Sequence, residues 1–194
     1  MKPTKFHWII LAINILNLLL FSFFYLRKQN YEFVIYIVVI IFFLILISLL
    51  HLKYNFSKMV LVGMTIWAIL HMSGGFFIIN NAVLYSYQII PRFLRFDQLV
   101  HFFGFGIATL LSFEILKQNL KIKSKLALSI FIIFIGMGIG ALNEIIEFIA
   151  VLTVPQTGVG GYENTMWDMV FNTFGAILAV LYLNLSGKMK NIKS

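Results

Sequence analysis

The chain is expected to be all-α: a polytopic membrane protein whose single domain, residues 1–194, is a bundle of six transmembrane helices with both termini cytoplasmic. Three observations predict this. Of 194 residues, 61% are hydrophobic and only 11% charged, against about 25% charged in a soluble domain. Six apolar runs each approach the roughly 20 residues that a membrane helix needs. Lysine and arginine are distributed unevenly between alternate connections, which sets orientation. Backbone groups in lipid must be satisfied internally, and these runs are too long and too apolar for barrel strands.

The first span, residues 7–26, follows a positive start and ends in Phe23-Phe24-Tyr25 rather than a small-residue cleavage site, so it is expected to be a retained helix and not a signal peptide. The second, 31–50, opens on Glu32, read as a helix-start charge. The Phe-rich stretches of these two spans are expected to face lipid. The third, 59–79, carries His71-Met72-Ser73-Gly74-Gly75. The longest connection, Asn80–Phe96, holds Pro91, Arg92 and Arg95. The fourth span, 97–117, contains Asp97, His101, Gly104 and Gly106, with Glu114 expected in an ion pair near its far end. The fifth, 126–151, contains the GxxxG step Gly136/Gly140, where small residues let another helix approach. Packing within one chain is favoured there over a dimer face. A turn-rich loop with Pro155, Gly158, Gly160 and Gly161 leads to the sixth span, 165–185.

With both termini inside, the inner segments hold Lys2, Lys5, Lys53, Lys58, Lys117, Lys121, Lys123, Lys125, Lys188, Lys190 and Lys193, and the outer ones only Arg27, Lys28, Arg92 and Arg95. The net charge of +8 is thereby explained as topology, leaving nucleic-acid binding little to account for. Contact with membrane lipids follows from the same charge. There is no cysteine, which excludes disulfides and thiolate metal sites.

Polar residues inside the spans come in pairs one helical turn apart: Asp97 with His101, Asn143/Glu144 with Glu147, and Asp168 with Asn172. An ionisable residue at mid-membrane costs roughly 2.5–3.5 kcal/mol on insertion scales, so several together suggest a site. Helix rise puts these pairs, with His71, in one layer about 5–12 Å under the outer surface. Four carboxylates in low dielectric need protons, His71, His101, Arg92 and Arg95, or a bound cation. Mixed imidazole and carboxylate ligands suit Zn²⁺, Mn²⁺ or Fe²⁺, with His101, Asp97, Glu147 and Asp168 as ligands. A protonated hydrogen-bonded network is the alternative. Asp97 also suits a helix N-cap, Asp168 the positive end of span six, Asn143 and Asn172 interhelical bonding, and His71 a packed core position. Neither HExxH nor GxSxG is present, and Ser73 does not share a helical face with its neighbour His71.

The runs FDQLVHFFGFG (Phe96–Gly106), ALNEIIEF (Ala141–Phe148) and NTMWDMVFNTFGA (Asn164–Ala176) resemble the YjdF-like and VanZ-like bacterial membrane proteins, and HMSGG (His71–Gly75) is closer to the YjdF-like branch. The resemblance covers roughly residues 67–185 and spans the pattern Asp97, His101, Glu144, Glu147, Asp168, Asn172 and Gly175. Gln98 departs from it, standing where the family often has lysine. The VanZ-like side of the resemblance implies a cell-envelope role.

Three functions are compatible with these residues. The first is an enzyme acting on a lipid or lipid-linked substrate, with Glu144 or Glu147 as general base. In it His101, Asp97 and Asp168 hold a metal or water, Arg92 and Arg95 hold an anionic head group, and the loop Thr153–Tyr162 covers the site. The second is a proton- or ion-coupled transporter. The third is a non-catalytic assembly protein whose polar layer is structural.

Overall fold

The computed structural model describes residues 3–122, 124–155 and 157–191. Lys2, Lys123 and Lys193 of the charge pattern, and Gln156 of the turn-rich loop, lie outside the described residues. The described residues form six α-helices: α1 (Lys5–Arg27), α2 (Tyr31–Tyr54), α3 (Lys58–Phe76), α4 (Phe96–Asn119), α5 (Lys125–Thr153) and α6 (Tyr162–Leu185). All six are long and apolar enough to cross a membrane.

Polar side chains at the boundaries explain where several helices begin and end. Asn30 accepts from the Phe33 amide at the start of α2, and Ser57 from the Val60 amide at the start of α3. Asn55 ends α2 in the left-handed conformation, φ 52°. The Gln98 side chain reaches back to the amide of Arg95, 2.8 Å away, just before α4. This is the N3 half of a capping box. Asp97 therefore lies inside the first turn of α4 rather than at its cap.

The third span is shorter than expected. α3 stops at Phe76, and Ile78–Ile79 (β1) pairs with Ala82–Val83 (β2) across Asn80-Asn81. Both asparagines have positive φ, 52° and 64°, which a two-residue hairpin of right-handed twist requires. A 3₁₀ turn at Leu84–Ser86 leads to a second hairpin, Gln88–Ile90 (β3) with Leu94–Arg95 (β4). His71 is consequently five residues from the end of its helix, about 8 Å rather than 12 Å.

The chain divides into two compact units. Unit 1 comprises residues 1–100 and 147–159, and unit 2 residues 101–146 and 160–194. The core of unit 1 is aromatic. Tyr25 is fully buried, donates to the Met72 carbonyl, and stacks on Phe33 at 4.5 Å. Gly75 lies against the Phe33 ring, where a Cβ would collide with it. The Phe-rich stretches of α1 and α2 are thus divided: Phe21 and Phe33 are buried, whereas Phe23 and Phe42 are about 60% exposed.

Unit 2 packs through small residues. A Cβ at Gly175 would strike the Phe102 carbonyl oxygen, and one at Gly106 would lie 3.3 Å from the Gly175 carbonyl. Gly136 faces Thr109 and Ala176, and Gly140 faces Asn172. The GxxxG step therefore serves contacts within the chain.

Candidate functional site

The close approach permitted by Gly175 and Gly106 sets one turn of α4 against α6, and that turn carries His101. Its Nδ1 is 3.1 Å from Asn172 Oδ1 and 3.5 Å from Glu144 Oε1. All three side chains are buried, Asn172 completely. Asn172 fits because Gly140 has no side chain: a Cβ there would lie 2.8 Å from Asn172 Nδ2. Each residue of the trio is thus delivered by a different helix, α4, α5 or α6.

The hydrogen-bonding logic is restrictive. Asn172 Oδ1 and an ionised Glu144 are both acceptors, so a proton on His101 Nδ1 is the arrangement that satisfies them. In a neutral ring protonated there the lone pair lies on Nε2. Asp168, also fully buried, offers a carboxylate oxygen within 4.8 Å of a His101 ring nitrogen. Asn164, one turn earlier on α6, donates to Asp168 Oδ2 at 2.6 Å. Asp168 sits six residues inside α6, about 9 Å from its start, and the first turn is occupied by Glu163 instead. Favouring the helix N-terminus does not explain it. Among the sequence-predicted residues, unit 2 therefore brings together His101, Glu144, Asp168 and Asn172.

Asp97 precedes His101 by one turn on α4, and Glu147 follows Glu144 by one turn on α5. Both belong to unit 1, which has a polar cluster of its own. There His71 Nδ1 lies 2.6 Å from the Tyr85 hydroxyl, which also donates to the His71 carbonyl at 2.8 Å. One hydroxyl proton cannot serve both, so Nδ1–H donates to Tyr85 and the lone pair again falls on Nε2. Gly74 lies against the Tyr85 ring, where a Cβ would sit 2.6 Å from it. Burial pushes the Tyr85 phenol well above its usual range, and the Asp97 and Glu147 carboxylates push it further.

Glu32 stands in the first turn of α2, as the sequence suggests, but it does more than favour a helix start: it is a buried carboxylate, 7% exposed. It accepts from the Gly158 amide at 2.6 Å and from the Tyr36 hydroxyl at 3.3 Å. Glu114, expected at the interface, is buried as well. Sequence reasoning also missed Tyr36 and Tyr85, because an aromatic residue in an apolar run gives no sign that its hydroxyl is used. Arg92 and Arg95 lie exposed on the second hairpin, Arg92 at its turn with φ 60°.

Six helices able to cross a membrane, with a buried histidine–carboxylate–amide cluster held by three of them, define an integral membrane protein with ionisable groups inside its spans. The chain belongs to the family described as predicted membrane protein (DUF2238), which matches residues 6–188. This is the YjdF-like branch of the resemblance. No curated protein and no solved structure matches the chain.

Proposed function

We propose that this protein is a membrane enzyme acting on a lipid or lipid-linked cell-envelope substrate, with His101 at its centre. The observation that carries the reading is the pinned imidazole, whose Nδ1 faces two acceptors in a buried setting. A second interaction of this kind is what orients histidine ligands and bases elsewhere. In this reading Nε2 of His101 and a carboxylate oxygen of Asp168 bind a divalent cation, and Glu144 and Asn172 hold the ring. Zn²⁺, Mn²⁺ or Fe²⁺ suits such nitrogen and oxygen donors. A cation there would compensate the buried carboxylates and lower the pKa of a bound water. Residues inside membrane-spanning helices lie within the depth that a lipid-soluble substrate occupies, which favours a lipid-linked molecule. The VanZ-like side of the sequence resemblance agrees with an envelope role. Arg92 and Arg95, exposed on the hairpin, suit an anionic head group.

The test is the metal content of protein purified without chelators. Wild type is expected to carry a stoichiometric divalent metal, His101→Ala and Asp168→Asn to lose it, and Glu144→Gln to bind it more weakly by about 10–100-fold. Metal-free wild type would overturn the cation assignment. One observation favours a second reading, proton-coupled transport: a buried carboxylate 3.5 Å from an imidazole is also a proton-relay pair. Proton flux in liposomes that disappears in Glu144→Gln would decide for it.

A further inference from the structure

The connection between α3 and α4 does not have the composition of a loop in water. Between Lys58 and Arg92 the sequence has no Asp, Glu, Lys or Arg. Past Phe76 that uncharged stretch is no longer α-helical: it forms the first hairpin, the 3₁₀ turn and β3. Every residue of β1 and of β3 is exposed. The side chains laid open here are large and apolar, among them Phe77, Ile78, Ile89, Ile90 and Phe93. Ile78 is 59% and Phe93 65% exposed. A two-stranded hairpin is marginal in water unless an apolar face is covered, and exposed apolar surface marks a membrane or protein contact.

The geometry holds this segment at the edge of the bilayer. α3 has 19 residues, and helix rise gives about 29 Å, close to the roughly 30 Å thickness of the hydrocarbon. Its last residue, Phe76, therefore falls at the hydrocarbon boundary. Tyr85, in the 3₁₀ turn, reaches back to the His71 carbonyl at 2.8 Å, five residues inside that end. A side chain anchored there keeps its own backbone near the helix end. The Leu84 amide donates to the Phe77 carbonyl at 2.8 Å, and the Phe96 amide to the Tyr87 carbonyl at 2.9 Å. The first hairpin is thus closed onto the end of α3 and the second onto the start of α4. The middle of the connection is drawn onto the membrane rather than held out in water.

Two features limit its depth. Both sheets have only two strands, so each strand keeps an edge whose backbone groups hydrocarbon cannot satisfy. Arg92 is exposed at the turn of the second hairpin, and its charge stays out of the core. The head-group layer meets both demands, with water for the backbone and apolar contact for the side chains.

We propose that residues 77–95 form a double-hairpin apron docked on the bilayer surface, with Ile78, Ile90 and Phe93 inserted among phospholipid head groups. A second copy of the chain could cover the same side chains. The observations favour lipid, because both ends of the segment are fixed to helices long and apolar enough to cross the membrane, so lipid already stands at this level. The role of His101 does not enter the argument.

The chain has no cysteine, so Ile78→Cys and Phe93→Cys each give one attachment point for a nitroxide. Phe42→Cys, at an exposed position in the middle of α2, gives a reference inside the hydrocarbon. The full chain is reconstituted in phosphatidylcholine vesicles, and collisions of each label with oxygen and with a water-soluble nickel chelate are measured. The oxygen-to-nickel ratio at positions 78 and 93 is expected to exceed that of the same nitroxide on a soluble peptide by at least about twofold, and to stay below that at position 42 by a similar factor, as for side chains about 5–10 Å into the head-group boundary. A ratio equal to that of the soluble peptide means hairpins standing in water and overturns the proposal. A ratio equal to that at position 42 overturns the head-group depth. Few collisions with either reagent mean that protein covers the hairpins, which also overturns it; spectral broadening that vanishes on dilution with unlabelled chain would identify a second copy as the cover. In a chain labelled through Ile90→Cys, adding Phe93→Asp should move the ratio toward the soluble value, and an unchanged ratio would overturn the insertion of this hairpin.

Discussion

Tyr85 shows how a single hydroxyl can tie a loop to a membrane helix. It donates to the His71 carbonyl and receives the His71 ring proton, and its phenol is held well above the usual range by burial and by Asp97 and Glu147. The folded state thus binds this proton more tightly than the unfolded state does. Stability from this source is intact below the unfolded tyrosine pKa of about 10 and falls as pH rises past it. Wild type is expected to lose up to about 1.4 kcal/mol per pH unit more than Tyr85→Phe in that alkaline range. At neutral pH Tyr85→Phe should itself be less stable by about 1–3 kcal/mol, through the hydrogen bonds removed. Unfolding followed in detergent at neutral and alkaline pH tests both, and identical alkaline slopes would refute the account. Residues of this kind mark the limit of sequence reading. Helical spacing and the cost of buried charge made His101, Glu144, Asp168 and Asn172 legible as a set. The true surroundings of Glu32 were not, because its partner is a backbone amide on a distant loop, and a backbone amide leaves no mark in the sequence.

At the scale of elements, glycine substitutions on α5 and α6 should separate packing from propensity. Gly175 meets the Phe102 backbone, so Gly175→Ala must push α4 and α6 apart, whereas a Cβ at Gly138 meets nothing within 4 Å. Gly138→Ala is expected to be neutral or to stabilise α5 by about 0.5–1 kcal/mol, since alanine is the better helix former. Gly175→Ala should destabilise by about 1–3 kcal/mol. It should also disturb His101, which lies on the turn of α4 that Gly175 admits. Thermal unfolding of the two variants, compared side by side, checks the sign difference. The helices themselves were readable within a few residues from hydropathy alone. The α3 boundary was not, because Phe77-Ile78-Ile79 is as apolar as the helix before it. Only Asn80-Asn81, a pair suited to positive φ, signals the hairpin that draws this stretch out of the helix.

For the whole molecule, an even number of crossings together with the lysine distribution predicts, by the positive-inside rule, that both termini are cytoplasmic. A reporter fused after Ser194 is expected to read as cytoplasmic, and one inserted at Pro91 as extracellular. The reverse pattern would invert the orientation that the lysines predict. Of the three boundaries between the units, the one at residues 159–160 falls in the glycine-rich loop, but those at 100–101 and 146–147 fall inside α4 and α5 and have no counterpart in composition. A linker is visible in sequence because it interrupts a pattern. A boundary within a continuous helix interrupts nothing.

The bond between Glu32 and the Gly158 amide spans 126 residues of chain. A ribosome adding about 5–20 residues per second needs roughly 6–25 s to cover that distance. For most of that interval α2, which ends at Tyr54, has been made but the partner of its buried carboxylate has not. During biogenesis the amino-terminal helices must therefore hold Glu32 in some other way: protonated, bonded to Tyr36 alone, or lingering at the membrane surface. Unit 1, which holds the first residues of the chain, is completed only after most of α5 has been translated.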